Sequence, residues 1–505
     1  MVAAFGAQDA QALDRLNRAC SLERVSRQTN LPSIMKTSLR FAIIAAIGIL
    51  GGALRGAQPE RPPNIVLILA DDLGWADLGC YGNTFNESPR IDRLAREGLR
   101  FTQFYAGPVC SPTRANLQSG RDQARYGITQ HIPGHRRPFA KLTDPVVPRQ
   151  LPLEVVTFAE RLRDGGYATG YFGKWHLGGE EFGPEKQGWQ VVTEFTGNLT
   201  PSHLPEAVST PRAAAFLASR AVAFIREHRE HPFLLQVSSS AVHIPLTTTP
   251  ELLAKYRSKT PMPGYPSLPE YAGLIEELDA CVGRIVDEID AAGLAENTLV
   301  LFVSDNGGLV HQQDGNIVTS NGTLRGEKGT LYEGGIRVPA VARWKGRIPA
   351  QRICGIPALT QDLYPTFLAL GGLKMPPPAE LDGVSIASLL FDPSARLAPR
   401  ALYWHLPHYH HGTPASAIRD GDWKLIQLFE TDSVELYNLA SDPGETTNLA
   451  DREPQRSATM LAKLAAWRTS VNAQMPVPNP NYDPARASQI GSGKSGKSGS
   501  RKGGK

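Results

Sequence analysis

The sequence predicts an α/β fold: a large, mixed but mostly parallel central sheet flanked by helices, followed by a smaller C-terminal α+β domain. Three continuous apolar runs have the length and composition of strands buried on both faces, at 64–70, 232–237 and 298–303. Helical patterns alternate with these runs, at 156–164, 212–228 and 271–292. Such alternation is typical of a parallel sheet covered by helices.

Export is predicted near the N-terminus. Residues 35–57 combine a short basic segment with the apolar run Phe41–Leu50 and small residues, the pattern of a secretory signal peptide. The run is short for a membrane span, and an uncleaved anchor is the alternative. Residues 1–34 fit neither a domain nor a signal, so we expect a non-native upstream extension before Met35. The mature protein would be periplasmic or secreted and would meet a membrane only through the signal.

The middle of the chain sets the charge of the folded body. The formal net charge is +4, yet residues 58–490 carry 41 basic and 46 acidic residues, close to −5. This balance excludes a protein-wide clamp for nucleic acid or another polyanion. Attraction for an anionic substrate must therefore come from a local pocket.

The larger domain is predicted at 58–385 and the smaller one at 386–476, with the boundary after the run Pro376–Pro378. Within the smaller domain we expect an antiparallel sheet and one helix, from short strands at 401–405, 423–429 and 434–439 and a helical pattern at 456–471. Residues 477–505 are rich in Pro and Asn and then in Gly, Ser and Lys, which predicts a disordered basic tail.

Five cysteines are too few for a disulfide framework. Cys20 precedes the signal, and Cys110 stands in a motif described below. Whether any two of Cys80, Cys281 and Cys354 form a disulfide is left open by the sequence.

Polar residues follow two of the predicted strands. Asp71 and Asp72 come after the first apolar run, and Asp305 and Asn306 come after the third. In parallel sheets ligands gather beyond the carboxyl ends of the strands. Paired buried acids are costly without a cation between them, and this all-oxygen set suits Ca²⁺ or Mg²⁺. A helix cap or a solvated turn is the alternative for an Asp-Asp pair.

Cys110 opens the segment Cys110-Ser111-Pro112-Thr113-Arg114. Pro112 suits the first turn of a helix predicted at 113–120, which places Cys110 just before the helix N-terminus. Free N–H groups and the helix dipole favour a negative group there. A free thiol in an exported protein is prone to oxidation, which favours a modified Cys110.

The segment Cys110–Arg121 resembles the signature of the type I sulfatases of the alkaline phosphatase superfamily, in which Cys-x-Pro-x-Arg directs oxidation of the cysteine to formylglycine. Four further segments are similar to later family motifs and occur in the same order, at 166–178, 304–308, 324–339 and 436–449. The resemblance covers most of residues 64–470. Thr113 and Ser119 depart from the commoner Ser and Thr, but the positions that direct maturation are intact.

The resemblance implies a sulfuric ester hydrolase that is matured by a formylglycine-generating enzyme or an equivalent. Ca²⁺, or alternatively Mg²⁺, would be bound by Asp71, Asp72, Asp305, Asn306 and the modified Cys110. The hydrated aldehyde at position 110 would attack sulfur and leave a sulfated enzyme intermediate.

The resemblance also implies roles for five basic residues. Arg114 would hold the modified side chain, and His176 would take a proton from its second hydroxyl. Lys174, His243 and Lys328 would bind sulfate oxygens, and either His243 or Lys328 would protonate the leaving group. Taken alone, these residues could equally be solvated loop residues or a buried structural histidine.

The segment Tyr403–His411 contains four histidines and three aromatic residues in nine positions. It predicts a sugar-binding wall, with candidate substrate residues His405, His408, His410 and His411, joined by His311. An aromatic corner that seals the two domains and a second metal site are the alternatives.

Export and the resemblance together imply sulfated carbohydrates of the galactose or N-acetylgalactosamine type as substrates. An arylsulfatase of broad specificity and a phosphomonoester or phosphonate hydrolase of the same superfamily are the alternative enzymes. A carbohydrate-binding protein with an inactive site is the non-enzymatic alternative, but every required site position is occupied by a suitable residue.

Overall fold

A computed structural model describes residues 61–312 and 315–490. The predicted upstream extension and signal segment therefore lie outside the described residues, as do residues 491–505 of the predicted tail. None of the helices described is long and apolar enough to cross a bilayer.

Strands and helices are interspersed from residue 64 to residue 370, and a compact antiparallel unit follows. In chain order the strands are β1 Asn64–Ala70, β2 Leu99–Tyr105, β3 Leu142–Thr143, β4 Ala168–Gly173, β5 Val191–Glu194, β6 Phe233–Ser238, β7 Thr298–Ser304, β8 Arg337–Arg343, β9 Arg352–Cys354, β10 Ala358–Leu359, β11 Ala401–Leu406, β12 Ala415–Asp420, β13 Trp423–Leu428, β14 Ser433–Asn438 and β15 Val477–Pro478. The α-helices are α1 Pro89–Glu97, α2 Cys110–Ser119, α3 Phe158–Asp164, α4 Ala213–His228, α5 Pro250–Arg257, α6 Pro269–Ala291, α7 Glu333–Ile336, α8 Leu363–Leu370, α9 Ala387–Phe391 and α10 Pro454–Ser470.

The large sheet has the strand order β10-β2-β8-β7-β1-β6-β4-β5, with β9 also paired to β2. β1 runs parallel to β6 and β7, and β4 runs parallel to β5 and β6. β8 is antiparallel to both of its neighbours, β2 and β7. The predicted large, mixed and mostly parallel sheet is confirmed.

Helices cover both faces of this sheet, as the continuous apolar runs predicted. Along β1, Val66 and Ile68 pack into one hydrophobic core together with residues of α4 and α6. Ile65 and Leu67 point the other way and pack with residues of α3 and α8. Because successive side chains of a strand alternate between faces, both faces must be apolar in a doubly covered strand.

The smaller unit is the predicted antiparallel sheet with one helix, and its strand order is β11-β12-β13-β14. The strand β12 was not predicted from the sequence, although it pairs with β11 and β13 over six residues each. α9 lies after the predicted boundary at 385, yet its Leu389 and Leu390 pack into the core of the large sheet.

The predicted disorder of residues 477–505 is wrong for residues 477–490. β15 pairs with β3, Asn479 donates to the carbonyl groups of Pro138 and Ala140, and the Arg486 guanidinium lies 3.4 Å from the Phe139 ring centre. Backbone pairing and one cation–π contact hold this segment, and a count of apolar residues detects neither.

Cys80, Cys110, Cys281 and Cys354 are all free thiols. Within the described residues, no disulfide therefore contributes to the fold.

Candidate active site

The predicted functional residues converge at one edge of the large sheet. The strands β7, β1, β6 and β4 are neighbours, and their carboxyl ends therefore lie side by side. Asp305 and Asn306 follow β7, Asp71 and Asp72 follow β1, and Lys174 follows β4. The order of parallel strands is what gathers residues more than 200 positions apart in the chain.

Four oxygen-bearing side chains form the centre of this edge, and all are fully buried or nearly so: Asp71, Asp72, Asp305 and Asn306. The Asn306 amide donates to Asp72 Oδ1 at 2.8 Å, and the Asp72 backbone N–H donates to Asp305 Oδ1 at 3.3 Å. Asp72 adopts a left-handed backbone with φ of 63°, a conformation that stores strain and that an aspartate tolerates better than most residues.

This group of oxygens fits a hard divalent cation. Asp71 Oδ1 and Asn306 Oδ1 are buried and have no hydrogen-bond donor, and leaving a buried acceptor unpaired costs about 1–3 kcal/mol. Burial and the charge of Asp71 raise the pKa of Asp305 to about 8, whereas Lys174 and Lys328 hold the pKa values of Asp71 and Asp72 below the ordinary one. A cation beside Asp305 would favour its charged form. The His243 ring also has a nitrogen within 4.8 Å of the ligand atoms of Asp71 and Asp72, but oxygen ligands are what Ca²⁺ and Mg²⁺ select.

Cys110 begins α2, three residues earlier than the predicted helix start, and its side chain is buried. Cys110 Sγ lies 3.2 Å from His176 Nδ1. The other ring nitrogen of His176, Nε2, lies 2.7 Å from the Ile132 carbonyl oxygen. Because a carbonyl can only accept, Nε2 carries the proton, and Nδ1 presents its lone pair to position 110.

The electrostatic surroundings keep His176 neutral. Burial, Lys174 and Arg114 lower the pKa of His176 to about 4. Its backbone φ of 64° is again left-handed. A neutral imidazole aimed at position 110 can accept a proton from the group that stands there.

Three buried cations balance the three carboxylates. Arg114 donates from Nε and Nη2 to Asp305 Oδ2 at 3.1 and 2.8 Å, and Lys174 Nζ donates to Asp71 Oδ2 at 2.6 Å. Lys328 Nζ lies 2.6 Å from Asp72 Oδ1. Burial would lower the pKa of each lysine, but the neighbouring aspartates raise both values above the ordinary one. Both lysines therefore stay charged.

His243 stands at the open side of the group, with its side chain about a third exposed. His243 Nδ1 donates to the Ile244 carbonyl at 2.7 Å, and Nε2 lies 3.7 Å from Asp72 Oδ2. Nε2 is therefore the atom that faces the site.

Two members of the predicted sugar-binding wall lie inside the protein. His405 is fully buried, and its ring nitrogens contact Ser416 Oγ at 2.6 Å and the Gln474 carbonyl at 2.8 Å. His408 is also buried, with Nε2 at 2.8 Å from Thr129 Oγ1. Since neither ring can reach a ligand, a substrate role for these two does not fit the structure. His408 joins the smaller unit to Thr129 of the larger one, as the alternative of a seal between the domains requires. Both ring partners of His405 lie within the smaller unit.

The other candidates lie near Lys328. His311 Nδ1 and His411 Nδ1 lie 2.8 and 3.5 Å from the same oxygen, Glu327 Oε1. His410 instead groups with His131 and His135, two residues that the sequence reasoning missed. The spacing His-x-x-x-His was the signal that could have found them.

An open cleft of about 560 Å³ adjoins His176. Its walls combine Arg149, Gln150 and Glu180 with the aromatic ring of Phe182. Polar groups beside an aromatic face are the usual composition of a carbohydrate-binding cleft.

The chain matches two family profiles. Residues 63–373 match the Sulfatase family, and residues 326–470 match the C-terminal region of N-sulphoglucosamine sulphohydrolase.

The chain is also similar to several sulfatases in sequence and in structure. A sulfatase from Formosa agariphila is 32% identical over 86% of this chain and 94% of its own length. Human arylsulfatase A is 35% identical over 78% and 84%, and canine N-acetylgalactosamine-6-sulfatase is 31% identical over 85% and 84%. Among solved structures, Ps i-CgsB in complex with k-i-k-neocarrahexaose has a TM-score of 0.69 and 26% identity, over 84% of this chain and 95% of that one. The chain belongs to the sulfatase family, a group of sulfuric ester hydrolases within the alkaline phosphatase superfamily.

Proposed function

We propose that this protein hydrolyses sulfate monoesters of carbohydrates with the help of a calcium ion and a formylglycine made from Cys110. The observation that carries the proposal is the position of Cys110 Sγ, 3.2 Å from the proton-accepting nitrogen of His176. Position 110 also stands at the start of α2, where helix N–H groups favour negative charge.

The proposed calcium ion would be held by Asp71, Asp72, Asp305 and Asn306. The unpaired oxygens of Asp71 and Asn306 support this assignment. When bound, the ion and the aldehyde hydrate supply a polarised hydroxyl nucleophile and a counter-charge for sulfate oxygens. Arg114 fixes Asp305 through two hydrogen bonds and thereby orients that carboxylate towards the ion.

His176 acts as a base in this proposal. Its Nε2 proton is held by the Ile132 carbonyl, so the ring cannot rotate without losing that bond. Nδ1 accepts a proton from position 110 when sulfate is released.

Lys174 and Lys328 hold sulfate oxygens, because both ammonium groups are buried at the site and stay charged. A lysine whose pKa is raised gives up its proton reluctantly. His243 is therefore the proposed acid for the leaving alcohol, from Nε2, and its partial exposure places it where the alcohol leaves.

Sulfated galactose or N-acetylgalactosamine residues are the proposed substrates. The name of the canine relative, N-acetylgalactosamine-6-sulfatase, supports this class. The oligosaccharide bound by Ps i-CgsB and the cleft beside His176 support a carbohydrate rather than a small aryl group. We further propose that the protein is exported through residues 35–57 and matured by a formylglycine-generating enzyme or its equivalent.

Mass spectrometry of the peptide containing residue 110, from purified active protein, tests the nucleophile. We expect the mass of an aldehyde in place of the thiol. The variant Cys110→Ala should lose turnover, while the matched control Cys281→Ala, which removes a buried thiol from α6, should retain it. Active protein with an unmodified Cys110 would refute the mechanism.

Sulfate release from a panel of defined sulfated oligosaccharides tests the substrate. An aryl sulfate and an aryl phosphate belong in the same panel. Turnover of galactose-type sulfates above that of the aryl sulfate supports the proposal. Preference for the aryl sulfate indicates a broad arylsulfatase, and faster phosphate release would make the protein a phosphomonoester hydrolase.

A further inference from the structure

Three histidine rings meet beside the sulfate site. His131, His135 and His410 each offer a ring nitrogen, and these nitrogens lie within 4.8 Å of one another. The ring centres of His131 and His135 are 4.4 Å apart, and His410 lies 5.5 and 5.3 Å from them. The three rings come from two segments, one after α2 and one after β11.

The tautomer of His131 is set by its neighbour Gln130. The Gln130 amide nitrogen donates to the Tyr409 carbonyl at 3.3 Å, which turns the amide oxygen towards His131. His131 Nδ1 lies 3.0 Å from that oxygen, and the His131 backbone N–H also donates to it. His131 Nδ1 therefore carries the proton, and Nε2 offers a lone pair. This is how a second residue commonly orients a metal-binding histidine.

His410 supplies an independent observation. Its Nδ1 is buried and has no hydrogen-bond partner in the part of the chain that the structure describes. Its side chain is pressed against the backbone of Gly329, where an added Cβ would lie 2.0 Å from Nδ1. Gly329 follows Lys328, so the three rings lie at the mouth of the sulfate site. The residue as a whole is half-buried, and leaving its buried ring nitrogen without a partner costs free energy unless that nitrogen binds a ligand.

We propose that His131, His135 and His410 form a second cation site, which binds a divalent transition-metal ion of the zinc type. Three neutral imidazoles suit Zn²⁺, Co²⁺, Ni²⁺ or Cu²⁺ and do not suit Ca²⁺. Tetrahedral zinc with bonds of 2.0–2.1 Å separates its ligand nitrogens by about 3.3 Å, so small rotations of the rings close the site. The fourth position is left for water or for an oxygen of a ligand at the mouth.

The surrounding charges act in both directions. Lys328 and Arg137, whose Nη2 donates to the His410 carbonyl, oppose any added cation. His411 lies 4.9 Å from His410 and is paired with Glu327, which brings one negative charge to the same wall. We therefore expect a site that is selective for transition-metal ions that prefer imidazole ligands.

Titration of chelator-treated protein with Co²⁺, in the presence of saturating Ca²⁺, tests the site. Visible absorption reports tetrahedral nitrogen ligation, and Zn²⁺ is added at the end to displace the cobalt. We expect one equivalent of Co²⁺ to give tetrahedral bands that Zn²⁺ abolishes and Ca²⁺ does not. Loss of a residue that only orients a metal ligand weakens metal binding about 10–100-fold. Loss of a ligand itself, in His131→Asn, His135→Ala or His410→Ala, should therefore weaken it by at least about 100-fold.

The matched control is His203→Ala, which removes an exposed imidazole elsewhere and should bind Co²⁺ like the wild type. Thermal unfolding without added Co²⁺ shows whether each variant is folded, and each of the three replacements is an independent test. Absence of the bands in the wild type, their loss on adding Ca²⁺, or equal cobalt affinity in folded His135→Ala and His410→Ala would overturn the proposal.

Discussion

Two buried clusters in this protein each combine carboxylates with positively charged side chains. They differ in which acceptor oxygens they leave without a hydrogen-bond donor. The catalytic cluster joins Asp71, Asp72 and Asp305 to Arg114, Lys174 and Lys328 at the edge of the large sheet. The second, which we call the junction cluster, joins Glu333, Glu445 and Lys424 between the large sheet and the small one. All nine side chains are buried.

The junction cluster satisfies its charges internally. Lys424 Nζ lies 2.9 Å from Glu333 Oε1 and 2.8 Å from Glu445 Oε1. The Tyr105 hydroxyl donates to Glu333 Oε2 at 2.7 Å, and the Glu333 backbone N–H donates to Glu445 Oε2 at 2.6 Å. Glu445 Oε1 makes no hydrogen bond either, but it faces the Lys424 ammonium group at 2.8 Å. In the catalytic cluster two acceptors, Asp71 Oδ1 and Asn306 Oδ1, have no donor and stand among further ligand oxygens. Unpaired acceptors that converge with other ligand oxygens, rather than buried charge as such, distinguish a site for a ligand from a structural ion network.

The distinction between the two clusters fails if residues of the proposed active site prove to act only in folding. His176→Ala should lower kcat/KM by about 10²–10⁴-fold, because a positioned base contributes that much, and should leave the unfolding temperature close to that of the wild type. Steady-state kinetics and thermal unfolding measure the two quantities. His203→Ala serves as the control for both. A loss of stability without a loss of kcat/KM would assign His176 to the fold.

The reverse outcome is expected at the junction cluster. Lys424→Met leaves two carboxylates buried without their cation, and breaking a buried pair in this way costs about 3–5 kcal/mol. Urea unfolding measures the loss, and kcat per folded molecule should be retained. In the control Lys463→Met, an exposed lysine loses its pair with Asp420, and no measurable change is expected. Unchanged stability of Lys424→Met would refute the structural role.

The effect of Ca²⁺ on thermal stability should also distinguish the two clusters. An ion that binds only the folded protein stabilises it by about 2.7 kcal/mol at a concentration one hundred times its Kd. Chelator-treated wild type should therefore unfold at a higher temperature when Ca²⁺ is added. Asn306→Ala removes one unpaired oxygen and should lose most of this shift, whereas Lys424→Met should keep it. An equal shift in Asn306→Ala would exclude Asn306 from the ion site.

The sequence predicted that Asp71, Asp72 and Asp305 lie together, because they follow apolar strands and parallel strands align their carboxyl ends. Roles for Arg114, Lys174 and Lys328 came only from the family resemblance. It did not predict the junction cluster, since Glu333 and Lys424 are 91 positions apart and no local pattern links them. The segment 324–339 was noted for its resemblance, without a role for Glu333. The burial of His405 was also unreadable, because it depends on Gln474 and Ser416, which the chain brings there from other elements.

The smallest expected effect concerns pH and Glu445. Burial raises the pKa of Glu445, Lys424 lowers it and Glu333 raises it again, to about 7 overall. In the unfolded chain a glutamate titrates near its ordinary value of about 4.3. Between these two values the unfolded chain has released the proton and the folded protein still holds it. Rising pH therefore favours unfolding across this window and has no further effect through Glu445 above it.

Glu445→Gln removes this contribution, because an amide releases no proton. Urea unfolding is measured at about pH 5, 6, 7 and 8, which span that window. The free energy of unfolding should fall less for Glu445→Gln than for the wild type. Other buried carboxyls with raised pKa values, such as Asp122, Asp279 and Asp305, are present in both proteins and cancel in the difference. Asp451→Asn, which replaces an exposed carboxylate, should follow the wild type. If the free energy of unfolding of Glu445→Gln falls with pH as steeply as that of the wild type, Lys424 holds both of its partners ionised. The junction cluster is then as fully charged as the catalytic one.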